Sequence, residues 1–321
     1  MEFISRQIVK FYKSTAFKRR DDEGNLFYYK PSDFDGLISE KFCFKTSKGH
    51  NLIGYFYYYD VNKSDRLIVF EHGMGVGHRA YYREIERLAR EGYLVYSYDH
   101  TGCTESEGET TMGLSGSLVD LDACIGALIN YGYKAENISV VGHSWGGYST
   151  LNILSYYPNL RSIVAMAGFI SMPDMLDQVF PKFLSPFKSV IYQLESEVNP
   201  GHSEKSALST LQASMSKALI IHSIDDDSVD FKRHFARMRN ELSHKENITF
   251  LELSGKMHNP TYTDDAVKYK KDFFKAYSKR MKKGKYKDKI AHRAFLESYD
   301  WKRMTEQDED IWNKIFAFLE R

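Results

Sequence analysis

A serine lies between two glycines in the segment Gly142-His143-Ser144-Trp145-Gly146, the pattern of a nucleophile elbow. In such an elbow a strand turns sharply into a helix, so the residues two before and two after the serine must be small. The turn would hold the Ser144 hydroxyl out of the sheet, with the backbone N–H of Trp145 facing negative charge that develops during acyl transfer. The sequence therefore predicts that Ser144 is a nucleophile and that Trp145 contributes to an oxyanion hole.

The flanking sequence supplies the strand and helix that this motif requires. Residues 138–141 are branched and apolar, as in a buried strand, and residues 148–157 read as a helix that ends before Pro158. A pattern of five residues also arises by chance in glycine-containing loops. The strand, turn and helix together favour the elbow, in which Gly142 and Gly146 permit the close crossing.

A catalytic serine needs a base, usually histidine, and a carboxylate that orients it. In chain order the acid should follow the strand after an inserted cap, where residues 223–229 contain three neighbouring aspartates. Asp226 is the predicted acid because it lies three residues after Ser223, the small residue at the strand end, and three before Val229. Asp225 is the alternative. Asp227 and Asp230 are predicted to cap a helix.

The base should follow the last strand of such a sheet. Four histidines come after Asp226, and only His258 lies in the loop that directly follows the last predicted strand. His234 falls within a predicted helix, His244 in a polar turn, and His292 in a basic segment. His258 is therefore the predicted base.

The second half of the oxyanion hole should come from the loop after the third strand. That position holds His72-Gly73-Met74-Gly75-Val76-Gly77. The glycines, Gly73 among them, would let the backbone approach a substrate, and Met74 is predicted to supply the second N–H. His72 is predicted to brace this loop rather than to transfer protons.

Strand and helix patterns alternate along most of the chain, which predicts parallel strands with helices on both faces of a sheet. An antiparallel hairpin precedes them. The expected fold is α/β, with a mostly parallel eight-stranded sheet. The predicted strands are 41–46, 51–59, 66–71, 93–98, 138–141, 161–167, 217–222 and 247–253, and the main predicted helices are 79–91, 114–131, 144–157 and 299–321.

The spacing of these elements predicts four regions. Residues 1–40 form an N-terminal helical extension, and the core consists of residues 41–168 and 217–321. Residues 169–216 carry several prolines among apolar residues and interrupt the alternation, so they are predicted to form an inserted cap. A basic helical insertion is predicted at about residues 262–298.

These motifs together resemble the α/β-hydrolase superfamily, and within it the capped serine hydrolases grouped with monoglyceride lipases, bacterial esterases and prolyl-type serine aminopeptidases. The resemblance covers about residues 41–258. It implies the α/β-hydrolase fold with a cap, and it assigns Ser144, Asp226 and His258 to a catalytic triad.

One further loop carries the resemblance with two departures. Residues 99–108 are similar to the family pattern Asp-x-Arg-Gly-x-Gly-x-Ser-x-Gly, but Thr101 stands where arginine is usual and Thr104 where glycine is usual. Ser223 likewise replaces a common glycine. None of these positions belongs to the predicted triad.

Composition limits the partners of the chain. Its 321 residues carry a formal charge of +1, which gives no reason to expect a nucleic-acid partner. Three scattered cysteines fit neither a disulfide framework nor a zinc site, and no secretory signal or membrane span is evident, so a cytoplasmic location is expected. No ligand cluster or phosphate-binding loop accompanies the motifs, so no metal or other cofactor is expected.

The segment Lys268–Lys289 combines eleven lysine and arginine residues with Asp272, Asp288 and several aromatic residues. The sequence favours a solvated helix that packs on the domain by its aromatic side. Contact with an anionic membrane surface is less favoured, and a lid beside the active-site mouth is a third alternative. Oligomeric state is not predicted.

The expected reaction is cleavage of a carboxylic ester through an acyl-enzyme intermediate. A serine at the elbow leaves thioesters and amides open as well, so thioesterase and peptidase or aminopeptidase activities remain alternatives. Apolar residues in 169–216 favour an acyl chain, whereas glutamates there could bind a free amine. A catalytically silent binding module is the alternative outside enzymes.

Overall fold

The computed structural model describes residues 2–21, 25–60, 66–75 and 77–320. Val76 of the predicted oxyanion loop and Arg321 of the last predicted helix therefore lie outside the described residues. One sheet contains all eight strands. They are β1 (Ile38–Lys45), β2 (Asn51–Tyr58), β3 (Leu67–Glu71), β4 (Leu94–Tyr98), β5 (Ile138–His143), β6 (Ser162–Met166), β7 (Lys217–Ser223) and β8 (Ile248–Leu253).

The strands lie in the order β1-β2-β4-β3-β5-β6-β7-β8. The pairs β1–β2 and β2–β4 are antiparallel, and every other neighbouring pair is parallel. Every residue of β3, β4 and β6 is buried, as expected for strands covered on both faces. The predicted mostly parallel, eight-stranded α/β fold is confirmed.

Helices cover both faces of this sheet. On one face α3, α4, α7 and α8 enclose a large apolar core, and on the other α2 and α12 enclose a second. The α-helices of the described ranges are α1 (Glu2–Thr15), α2 (Tyr82–Arg90), α3 (Gly116–Tyr131), α4 (Trp145–Asn152), α5 (Met172–Val179), α6 (Lys188–Val198), α7 (Ala207–Ala213), α8 (Arg237–Leu242), α9 (Asp264–Lys282), α10 (Lys289–Glu297), α11 (Trp301–Met304) and α12 (Glu309–Leu319).

The N-terminal helix packs on the segment predicted to be a cap. Ile8 and Tyr12 of α1 share a buried cluster with Leu176 of α5 and Ile191 of α6. The Tyr12 hydroxyl also donates a hydrogen bond to the buried carboxylate of Glu195. Helices α1, α5 and α6 thus form one apolar layer.

The C-terminal prediction of one helix over residues 299–321 is wrong. The chain instead forms α11 and α12 with a break at residues 305–308. In the break, Thr263 N–H donates to the carbonyl of Glu306 and Asp308 N–H donates to the carbonyl of Thr261. Asp308 then caps α12 by accepting the N–H of Ile311, so the break both pairs with the start of α9 and begins a new helix.

The region of the predicted basic insertion, about residues 262–298, contains two helices, α9 and α10, which pack around aromatic side chains. Phe273, Leu296 and Met304 form a buried cluster against which neighbouring aromatic rings pack. Five of the ten exposed residues of α9 are lysines and three are aspartates. Across the ranges that the structure describes, no helix has the length and apolar character needed to cross a bilayer.

Candidate active site

The elbow is built by a strand end, a strained serine and a helix start. Ser144 has φ 58° and ψ −114°, between β5 and α4, a conformation unfavourable for a residue with a side chain. A Cβ on Gly142 would lie 2.2 Å from Oγ1 of Thr150, and one on Gly146 would lie 2.3 Å from the carbonyl oxygen of Glu71. Only glycine fits these two positions, which is why the strand and the helix can cross here.

Three side chains from separate loops meet at the C-terminal edge of the sheet. Nε2 of His258, after β8, lies 2.8 Å from Oγ of Ser144. Nδ1 of the same ring lies 3.0 and 2.9 Å from the two carboxylate oxygens of Asp226, after β7. Because Nδ1 faces only oxygen acceptors here, it carries the hydrogen, and Nε2 is left to accept the Ser144 proton.

The environment of Asp226 favours its charged form. Oδ1 accepts the N–H groups of Ser228 at 2.8 Å and Val229 at 3.0 Å, and Nε2 of His222 lies 3.1 Å from Oδ2. Burial raises the pKa of Asp226, but the hydrogen bonds from His222 and His258 outweigh this effect and hold the pKa well below its usual range.

The other three aspartates make different contacts. Asp225 accepts hydrogen bonds from the Ser223 hydroxyl and, at 3.0 Å, from the N–H of Gly255. Asp227 is exposed and accepts the Ser228 hydroxyl at 3.2 Å. Asp230 accepts the N–H of Arg233 at 2.7 Å, as a helix cap does. Of the four, Asp226 is the one that contacts His258.

The predicted oxyanion loop lies directly against the serine. A Cβ on Gly73 would stand 2.5 Å from the hydroxyl oxygen of Tyr81 and 3.2 Å from Cβ of Ser144, so a larger residue would displace Tyr81 from the loop. Met74 lines the same cavity as Ser144. The N–H of Trp145 is the first in α4, where no carbonyl one turn earlier can accept it.

His72 is buried behind this loop and makes no contact with Ser144. Its Nδ1 lies 2.8 Å from the carbonyl of Gly73, and its Nε2 accepts the N–H of His100 at 3.1 Å. Burial and the neighbouring His100 lower the pKa of His72 well below its usual value. A neutral His72 therefore joins the loop to the segment after β4.

A cavity of about 620 Å³ opens beside Ser144 and His258. Its wall comes from residues 26–29, the loop and helix of residues 73–84, and the segment from Met257 to Thr305. Residues of the elbow, the end of β6 and the loop after β7 complete it. None of its described lining residues belongs to 169–216, which the sequence analysis treated as the segment that selects the substrate. The aromatic residues of the wall are Phe27, Tyr28, Tyr29, Tyr81, Tyr82, Tyr262, Phe274 and Trp301.

Comparison with known proteins identifies the family of the chain. A family model described as serine aminopeptidase, S33, matches residues 62–298. The chain belongs to the serine aminopeptidase family S33. It is therefore a hydrolase of the α/β-hydrolase superfamily.

Solved structures share the fold. An esterase from Pyrococcus furiosus has a TM-score of 0.58 and 21% identity, covering 83% of this chain and 95% of that one. An acylaminoacyl peptidase from Pyrococcus horikoshii has a TM-score of 0.54 and 18% identity, covering 69% of this chain and 38% of the peptidase. Esterases and peptidases thus both use this arrangement of strands and helices.

Two curated proteins are also similar in sequence. An uncharacterized protein of Acanthamoeba polyphaga mimivirus is 25% identical over 223 residues, which is 66% of this chain and 73% of that protein. The 2-hydroxy-6-oxononadienedioate/2-hydroxy-6-oxononatrienedioate hydrolase of Paraburkholderia phymatum is 31% identical over 130 residues, 36% of this chain and 43% of that enzyme.

Two residues that the sequence analysis did not single out as functional connect the parts of this S33 site. The Tyr81 hydroxyl accepts the N–H of Gly73 at 3.1 Å and lies 2.9 Å from Nδ1 of His143. Nε2 of His143 donates to the carbonyl of His258 at 2.7 Å. Burial and the neighbouring His258 lower the pKa of His143 to about 3, so its neutral ring accepts from Tyr81.

The loop of residues 99–108 is held by contacts of Thr101 and of Arg19. The N–H and hydroxyl of Thr101 donate to the carboxylate of Asp120 at 2.7 and 2.8 Å. The guanidinium of Arg19, from the N-terminal segment, donates to the carbonyls of Thr104 at 2.8 Å and Gly108 at 2.7 Å. Arg19 therefore holds the loop of residues 99–108 from outside it.

Proposed function

We propose that this S33 protein is a serine hydrolase that cleaves carboxylic esters through an acyl-enzyme intermediate. The observation that carries the proposal is the continuous hydrogen-bonded relay from Ser144 through His258 to Asp226. A relay of this kind beside a glycine-containing loop and a cavity is the arrangement that acyl transfer requires.

In the first half-reaction Oγ of Ser144 attacks the ester carbonyl carbon. Its proton moves to Nε2 of His258, and the charge of Asp226 stabilises the imidazolium that results. The carbonyl oxygen becomes negative and accepts the N–H groups of Met74 and Trp145. His258 then gives the proton to the departing alkoxide, which leaves as the alcohol while the acyl group stays on Ser144.

In the second half-reaction water takes the place of the alcohol. His258 removes a proton from water, the hydroxide attacks the acyl carbonyl, and the same two N–H groups bind the oxyanion. Collapse of this intermediate returns the proton to Oγ of Ser144. The products are the free acid and the alcohol.

A peptidase is the second candidate, because the family is named for serine aminopeptidases. The same relay would attack an amide or a thioester. An aminopeptidase must also bind a free ammonium group, and the cavity offers Glu84 and Asp227 for that purpose but contains more cationic than anionic side chains. This excess of positive charge supports an ester substrate over a peptide with a free ammonium group.

A substrate panel tests the proposal. We expect p-nitrophenyl esters, from acetate to palmitate, to be hydrolysed faster than aminoacyl-p-nitroanilides, with the best chain length fixed by the cavity. A fluorophosphonate probe should label Ser144, as peptide mass mapping would show. Turnover of anilides alone would make the protein a peptidase, and an unlabelled Ser144 would mean a silent binding module.

Tyr81→Phe tests the role of Tyr81 as a positioning residue. The change leaves the Gly73 N–H and Nδ1 of His143 without their partner, so the oxyanion loop and the base are less well fixed. We expect kcat for ester hydrolysis to fall about 10-fold with KM little changed, because a buried unpaired polar group costs roughly 1–3 kcal/mol.

The matched control is Tyr59→Phe, which removes a hydroxyl bonded to Glu86 at 2.9 Å outside the cavity. It should leave kcat within about twofold of the native value, since neither Tyr59 nor Glu86 lines the cavity. Equal losses in Tyr81→Phe and Tyr59→Phe would contradict the positioning role.

A further inference from the structure

A lysine ammonium lies in the cavity wall next to the proposed base. Nζ of Lys270, on α9, donates to Oδ1 of Asn259 at 2.7 Å, and Asn259 directly follows His258 in the chain. The same nitrogen lies 4.5 Å from the centroid of the Tyr262 ring. Its charge also contributes to lowering the pKa of His143 in the elbow, so Lys270 is electrostatically coupled to the site.

Lys270 has donor capacity that its protein contacts do not use. An ammonium carries three N–H groups, and its hydrogen-bond partner is one neutral amide oxygen. Within the described residues, no carboxylate lies within ion-pair distance of Nζ; Glu84 acts on it only through space. Burial lowers the pKa of Lys270 to about 8, and an anion bound in the cavity would stabilise its charged form.

Of the other five charged side chains among the described residues of the cavity wall, three are positive and two are negative. Arg79, Arg83 and Lys271 line the cavity with Lys270, against Glu84 and Asp227. Asp227 is exposed at the rim, and Glu84 is buried at the start of α2. The rest of the described wall combines eight aromatic side chains with neutral polar ones, so these cations are the groups in it that would pair with an anionic substrate group.

We propose that the ester substrate carries a carboxylate near the scissile bond and that Lys270 binds this carboxylate. The inference rests on the proposed ester hydrolysis and adds the chemical class of its substrate. The expected compounds are esters with one free carboxylate, on the acyl or the alcohol side. A charge-assisted hydrogen bond in a partly desolvated site would then orient the ester carbonyl toward Ser144.

Two matched ester pairs test this proposal. The acyl-side pair is the p-nitrophenyl monoester of glutaric acid and p-nitrophenyl pentanoate, and the alcohol-side pair is m-carboxyphenyl butyrate and phenyl butyrate. We expect the native enzyme to prefer the anionic member of at least one pair about 10-fold in kcat/KM, mainly through KM. In Lys270→Met this preference should fall about 10-fold, so that the two members of the pair are hydrolysed about equally.

Taking the ratio of the two esters within each variant cancels any change in total activity. Comparing that ratio between the variant and the native enzyme then cancels the intrinsic reactivity of the esters. Lys279→Met is the matched control, because it removes the same charge from the same helix outside the cavity, and it should keep the native preference. A further measurement needs only the native protein. Glutarate should inhibit the hydrolysis of p-nitrophenyl pentanoate competitively, whereas glutaramide should not.

The outcomes separate the two proposals. If the native enzyme hydrolyses neutral esters but shows no anionic preference in either pair and no inhibition by glutarate, the carboxylate proposal is wrong and ester hydrolysis stands. Retention of the preference in Lys270→Met would also overturn the role of Lys270. If no ester of either pair is hydrolysed and Ser144 resists the fluorophosphonate, the proposed function itself fails.

Discussion

Ser144→Ala is expected to lower kcat for p-nitrophenyl ester hydrolysis by a factor on the order of 10^4 or more. The change removes only the oxygen that attacks the carbonyl and donates to Nε2 of His258. Alanine keeps the Cβ that serine already places at φ 58°, so the strain of the elbow does not change. The thermal midpoint should therefore stay within about 2 °C of the native value.

Ser155→Ala provides the matched control for this loss. Ser155 is exposed just after α4, where its hydroxyl donates to the carbonyl of Asn152. The rate of p-nitrophenyl ester hydrolysis and the fluorophosphonate labelling of Ser155→Ala should match those of the native protein. Ester turnover in Ser144→Ala above about one hundredth of the native rate would mean that another group carries the reaction.

The sequence located the strands well because their buried runs and turns are local signals. The eight predicted strands begin and end within three residues of the observed ones. The chain order of an elbow sheet then placed Asp226 and His258 at the ends of β7 and β8. The contact of these two side chains with each other and with Ser144 depends on the parallel register, which brings the C-terminal ends of these strands to one edge of the sheet.

Contacts between distant segments were not predictable in this way. Tyr81 and His143 lie 62 residues apart. The sequence around Tyr81 does not distinguish it from an aromatic residue of the core, and the sequence around His143 does not show that its side chain contacts the site. One signal in the sequence is that His143 directly precedes Ser144, whose side chain contacts the proposed base. The partners of His143 depend on how the loop of Gly73 folds back.

The wall of the cavity was misassigned for a similar reason. Prolines and apolar residues in 169–216 suggested the segment that selects the substrate, yet none of the described residues of the cavity wall comes from it. The loop and helix of residues 73–84, residues 26–29, α9 and α11 contribute to the wall instead. Helix α9 is held there by backbone hydrogen bonds of Thr261 and Thr263 to residues 305–308. These hydrogen bonds join the start of α9 to the break between α11 and α12, a long-range contact that local sequence patterns do not show.

Asp226→Asn is expected to lower kcat by about 10^3- to 10^4-fold with little effect on KM. The asparagine oxygen would keep the N–H groups of Ser228 and Val229 as donors. Its NH2 group would then occupy the position of Oδ2, which faces Nδ1 of His258 and Nε2 of His222. Two donors would oppose each other, so His258 would move its hydrogen to Nε2 and could no longer accept the Ser144 proton.

Asp225→Asn is the decisive companion, because Asp225 adjoins Asp226 and was the alternative acid. Its carboxylate binds Ser223 and Gly255 rather than His258, so we expect kcat within about threefold of the native value. A larger loss in Asp225→Asn than in Asp226→Asn would reverse the assignment. Measuring kcat and KM for both variants with one ester therefore determines which carboxylate sets the histidine tautomer.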